Sequence, residues 1–131
     1  MTYAYDLGSY SWPITTASAQ AQLWFDRGLN WTYGFNHAEA AACFRRALEH
    51  DPDCAMAHWG VAYASGPNYN LPWELLDEAG KAEALTVSHA ATQLALACVE
   101  GCTAPERLLI GALRARYPQA NVAADMQAWD R

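Results

Sequence analysis

Positive charge is scarce in this chain. Lys81 is the one lysine among 131 residues, the arginines are scattered apart from Arg45-Arg46, and the net charge is −6. A phosphate backbone needs clustered Lys and Arg, so nucleic acid is excluded as the main partner. Long apolar runs are missing too: none approaches the length that spans a bilayer, so no membrane partner is expected. The segment from Met1 to Gln20 lacks the basic-then-apolar order of a signal peptide, and a cytoplasmic location is the expectation. No long run alternates Val, Ile or Thr with polar residues, which removes the strand signature. Neither Cys-x2-Cys nor His-x3-His occurs. Cys43, Cys54, Cys98 and Cys102 are therefore expected as reduced, small apolar groups.

Alanine, the strongest helix former, supplies much of the hydrophobic content. The class expected is all-α, in one domain. Residues 1–16 read as an irregular arm whose rings (Tyr3, Tyr5, Tyr10, Trp12) pack along the first helices, and residues 17–131 as the helical domain. About six helices are predicted. The first runs from about Ala17 to Gly34. Asn36 caps the second with Glu39 at capping-box spacing, and it ends near His50. Asp53 is expected to cap a third, over roughly Cys54 to Ser65. The Gly66–Pro72 segment is the clearest loop, followed by a short turn at Trp73 to Leu76. A long helix spans about Asp77 to Glu100, with Gly101 as its C′ residue. Thr103-Ala104-Pro105-Glu106 starts the fifth, which stops before Tyr117-Pro118. A last helix runs from near Asn121 to Arg131, still helical where the chain stops, which suggests a fragment of something longer.

Chemistry candidates are few. His37, His50, His58 and His89, with Cys43 and Cys54, are borderline metal ligands; the best such set is His37, Cys54 and His58. No metal or other cofactor is expected, because the spacing supports none. Cys54 and His58 stand i, i+4, and the helix dipole is expected to lower the Cys54 pKa. The same cysteine falls where packing wants a small apolar residue, so no catalytic residue is assigned. Asp51/Asp53 and Asp77/Glu78 are explained by helix termini.

An internal repeat is the most specific signal. Residues 21–54 contain Trp24-x3-Gly28-x2-Trp31-x8-Ala40-x3-Phe44-x2-Ala47-x4-Pro52. This segment resembles one tetratricopeptide repeat, with Trp31 in place of the usual tyrosine and Arg27 where leucine is common. Gly28 and Ala40 are small where two helices would cross, Trp24, Trp31 and Phe44 fill the space between helices, and Pro52 ends the second helix. The second repeat is irregular: Ala90-x3-Leu94-x2-Ala97 fits only after an insertion, since the alanine would otherwise fall at position 74. A third unit, Arg107 to Trp129, fits weakly. The chain is also similar to the N-terminal part of larger bacterial tetratricopeptide proteins, through Phe35-Asn36-His37, Asp51-Pro52-Asp53-Cys54 and Gly66-Pro67-Asn68-Tyr69-Asn70.

The resemblance implies a right-handed stack of antiparallel helix hairpins with an aromatic, mildly acidic concave face. That face would carry Phe25, Leu29, Tyr33 and Asn36, then Met56, Trp59 and Tyr63, with Asn68, Tyr69 and Asn70 at its edge. The function implied is non-covalent binding of a peptide, a protein segment or another copy of the chain. The plain alternative is that these rings only fill the core. A second alternative is a small-ligand, metal-binding or enzymatic domain using the Gly66–Pro72 loop with His37 and His58.

Overall fold

Four of the five helices begin where a side-chain oxygen can close the first turn. The protein is described by a computed structural model over residues 11–67, 71–123 and 125–130. Ser18 accepts from the Ala21 amide and opens α1 (Ala19–Tyr33); Asn36 accepts from Glu39 and opens α2 (His37–His50). The long helix α4 (Glu78–Ala97) starts behind Asp77, which accepts from Gly80. Thr103 and Glu106 form a reciprocal capping box at the head of α5 (Ala104–Arg116). The exception is α3 (Ala55–Ser65): Cys54 precedes it without a side-chain cap, and Asp53 stands one residue too early to serve. Single 3-10 turns at Trp73–Leu75 and Met126–Asp130 complete the order. Among the described residues there is no β-strand, and no helix is long and apolar enough to cross a membrane. The all-α expectation thus holds.

Two expectations change. Among the described residues there are five α-helices, where about six were expected. The segment after Asn121 is too short to sustain an isolated helix, and Met126 and Trp129 hold it instead, with the Trp129 ring edge-on to Trp73 at 6.2 Å. Helix α4 also ends earlier than predicted. Cys98 and Val99 donate to Ala95 and Leu96 in tight i→i−3 bonds that unwind the helix, and Gly101 turns the chain afterwards at φ 86°.

Connections of a few residues join α1 to α2 and α2 to α3, so neighbours return antiparallel. Helix α1 packs on α2, α2 on α3, and α3 on α4, while α3 also touches α1 and α5. One ring organises the first three helices. Phe44, on α2, is fully buried and lies 5.5 Å from Phe25. A Cβ placed on Gly28 of α1 would come within 2.6 Å of this ring. One placed on Gly60 of α3 would come within 2.4 Å of the same ring. The Phe44 ring therefore occupies the space that two absent side chains leave, and cannot shift from one helix without meeting the other. Trp24 and Trp31 are only half-buried; Trp24 covers a satellite cluster of Ala21, Ala47, Cys54 and Ala57, with the Arg27 guanidinium 4.5 Å from its ring centre.

Between α3 and α4 the chain is anchored at Trp73. Trp73 is buried against Tyr117, ring centres 6.4 Å apart, and Tyr117 in turn rests on Gly66. Residues 11–16 are clipped to α1 by their described contacts. Trp12 packs 6.3 Å from Phe25, its amide donates to Asp26 at 3.1 Å, and Gln22 holds both Ile14 N–H and Trp12 C=O. Tyr3, Tyr5 and Tyr10 lie outside the described residues.

Glu106 ties arm to domain. Its buried carboxylate accepts from the Thr15 amide at 2.9 Å, from the Thr15 hydroxyl and from the Thr103 amide at 2.8 Å. Burial alone would push this carboxyl up; the bonds from Thr15 and Thr103 outweigh it and hold the group below its ordinary value of 4.5.

Two outcomes follow from this packing. Gly60→Ala lowers the unfolding free energy in urea by about 1–3 kcal/mol, although Ala is the better helix former. Combining it with Phe44→Leu costs less than the sum of the two, because the shorter side chain vacates the clash. For Glu106, a lowered folded pKa means its stabilisation is present above pH 4.5 and fades as pH falls through the folded value. Glu106→Gln should cost about 2 kcal/mol at pH 7, and its thermal-melt profile should show a shallower loss than wild type below pH 4.5.

Candidate functional site

Helix α1 ends in a Schellman-type turn: Phe35 N–H donates to Thr32 C=O at 3.1 Å and Asn36 N–H to Trp31 C=O at 3.0 Å. The C′ position of this turn needs a left-handed backbone, and Phe35 supplies it at φ 60°. Glycine is the usual residue there; a bulky side chain costs roughly 1–2 kcal/mol. Core burial does not offset that cost, because the Phe35 side chain is 64% exposed. Strain of this kind, unrewarded by packing, marks positions held for another purpose.

Phe35 stands on the edge of a hollow of about 720 Å³, within the range of small-ligand pockets. Helix α1 contributes Leu29, Thr32 and Tyr33 to its wall, and α3 contributes Trp59 and Tyr63. Their register follows from the Phe44 contact: Thr32 is one turn beyond Gly28, and Trp59 and Tyr63 flank Gly60. The Trp59 and Tyr63 rings stack, 5.3 Å apart and 18° from parallel, so together they present one continuous aromatic surface. The start of α2 adds His37, the insertion adds Pro67 and Pro72, and α5 adds Leu109 and Arg116.

Two polar groups distinguish this hollow from a greasy cleft. Both ring nitrogens of His37 are shielded from solvent and have no hydrogen-bond partner among the described residues. Burial lowers the pKa of this imidazole from its ordinary 6.5, so it is neutral at pH 7, with one N–H donor and one acceptor nitrogen. The Phe35 ring stands edge-on to it at 6.4 Å. Arg116 lies with its guanidinium 6.0 Å from the Tyr63 ring centre and 5.5 Å from that of Tyr117, and one terminal nitrogen donates to Pro67 C=O at 3.3 Å. Among the described lining residues, Arg116 carries the permanent charge and there is no carboxylate. The described lining of the hollow is thus aromatic and carries a cation, where the resemblance implied a mildly acidic face.

The residues proposed for the binding face divide cleanly. Leu29, Tyr33, Trp59 and Tyr63 meet at the hollow. Phe25 and Met56 do not: both are completely buried, because Phe25 is enclosed by Trp12 and Phe44 and Met56 sits inside the helix stack. Asn36 spends its side chain capping α2. Asn68, Tyr69 and Asn70 lie outside the described residues. Sequence reasoning missed Phe35 and Arg116. The first was legible, since an Asn36 cap leaves Phe35 as the C′ residue of α1. The second was not, since Arg116 arrives through contact between distant helices.

The metal and nucleophile candidates do not assemble. Among the described residues no three of His, Cys, Asp and Glu converge. The His58 ring is occupied with Pro52 C=O at 2.8 Å, away from the hollow, and His89 with Tyr117 C=O at 2.8 Å. Cys54 is buried, and that burial pushes its thiol up to about 11, where the helix dipole had been expected to lower it. Desolvation outweighs the dipole, and nearby Asp51 and Glu106 add to the rise. Cys54 is thus protonated at neutral pH and unsuited to nucleophilic attack.

No family model, curated protein or solved structure matches this chain.

The strain at Phe35 can be tested directly. Phe35→Gly should raise the unfolding free energy by about 0.5–1 kcal/mol, the left-handed cost less the extra unfolded-state entropy of glycine. Phe35→Val, β-branched at the same φ, should lower it by about 1 kcal/mol or more. Chemical denaturation of the three proteins separates these outcomes.

Proposed function

We propose that this chain is a tetratricopeptide-type recognition module that holds a peptide or protein segment non-covalently, with the aromatic hollow as its anchor. One observation carries the reading: Tyr33 and Phe35 from one side and the stacked Trp59–Tyr63 pair from the other converge on one cavity. Aromatic residues around a concave, partly desolvated site are where binding energy concentrates. The repeat architecture draws support from the crossing of α1, α2 and α3 at Gly28, Phe44 and Gly60, the small–large–small pattern that repeats use to stack. In this reading α1 with α2 and α3 with α4 are successive units of a right-handed solenoid, and the insertion displaces the second unit's partner helix. Association with another copy belongs to the same reading, since Leu108 on α5 is 76% exposed.

A second reading, a small-ligand site, is favoured by a separate observation. His37, with its unsatisfied ring nitrogens, lines the same hollow of about 720 Å³, a size and chemistry that suit a small molecule.

Trp59→Ala tests the shared core of both. It should weaken capture of any partner by wild-type protein about 30-fold, as expected for an anchor worth 2 kcal/mol, while far-UV circular dichroism stays that of wild type. Unchanged capture by a folded Trp59→Ala protein would remove the hollow from the recognition surface.

A further inference from the structure

The polar atoms in the hollow are specific enough to name a ligand class. A buried donor or acceptor left unmade costs about 1–3 kcal/mol, and His37 holds one of each, both shielded and unpartnered, in a wall of the cavity. Such an arrangement calls for a group that completes it. Arg116 supplies a fixed positive charge to the same cavity, steadied by Pro67 C=O and by the faces of Tyr63 and Tyr117. Around these two groups the walls are flat: Trp59 and Tyr63 stacked, Tyr33 and Phe35 opposite. The chain as a whole is acidic, with net charge −6, so a cavity whose described lining holds a guanidinium and no carboxylate is a local departure from that balance.

We infer that the hollow binds a small aromatic carboxylic acid, its ring against Trp59 and Tyr63 and its carboxylate directed to Arg116, with His37 as the neutral hydrogen-bonding partner in the wall. The inference rests on the small-ligand reading above and deepens it. A guanidinium is the side chain best matched to a carboxylate, which it can engage through two parallel N–H donors. A neutral imidazole donates one hydrogen bond without adding a second charge to be desolvated. An amide analogue keeps the ring and the planarity but loses the charge, so it isolates the Arg116 contribution. A charge-assisted hydrogen bond exceeds a neutral one by enough to give about tenfold discrimination.

Naphthalene-2-carboxylate and naphthalene-2-carboxamide are suitable probes, titrated into the intact protein by calorimetry at pH 7. The expected result is saturable binding of both, with the acid about tenfold tighter, and loss of that preference in Arg116→Gln. His37 provides a readout that needs no variant: its Hε1 resonance should titrate below pH 6.5 in free protein and move to a higher pH with the acid bound. Equal affinity for acid and amide, or a preference surviving Arg116→Gln, would overturn the acid class and leave the hollow standing as a site. Binding of neither probe, with the His37 titration unmoved, would overturn the inference together with the small-ligand reading.

Discussion

The Phe44 ring, held between Gly28 and Gly60, is the contact on which this structure depends. Its role is steric. Two helices approach a single ring so closely that neither carries a side chain at the point of contact, so the ring sets the separation of α1 and α3. The walls of the hollow inherit that spacing. Thr32 follows Gly28 by one helical turn, while Trp59 and Tyr63 bracket Gly60, so the register that seats Phe44 also turns these side chains toward one cavity. The core and the hollow share a constraint here, and packing of this density transmits small displacements instead of absorbing them.

The other half of the site depends on a second anchor. Trp73 is buried beside Tyr117 although its indole nitrogen finds no hydrogen-bond partner among the described residues, so the ring contacts are what hold it there. That contact draws the insertion onto the end of α5. It brings Pro67 and Pro72 to the cavity along with Arg116, whose guanidinium bonds back to Pro67. Pro67 and Pro72, between α3 and α4, thereby form part of the wall of the hollow. Glu106 gives the opposite end of α5 a comparable tie, joining the helix cap to the N-terminal arm through Thr15.

Much of the fold was legible because its determinants are local. The Thr103–Glu106 box, the Asn36 cap and the Asp77 cap follow from side chains that reach three residues along their own helix. The spacing of Gly28, Ala40 and Phe44 was legible for a related reason: small residues opposite a large ring describe a helix crossing. Where the prediction failed, the competing influence was tertiary. Phe25 and Met56 occupy positions on exposed-looking helix faces, but the arm and the neighbouring helices cover them. The pKa of Cys54 follows its burial, which no spacing reveals. Arg116 reaches the cavity only because α5 packs on α3, and the segment after Asn121 shortens to a 3-10 turn because a tryptophan contact holds it.

Proton nuclear magnetic resonance addresses the central contact most directly, through the Hα protons of Gly28 and Gly60. If the Phe44 ring fills the gap between α1 and α3, both glycines will show nuclear Overhauser contacts to its aromatic protons and ring-current shifts away from ordinary helical glycine values. Contacts to Phe44 from only one of the two, or from neither, would contradict the shared wedge and with it the alignment of the walls around the hollow.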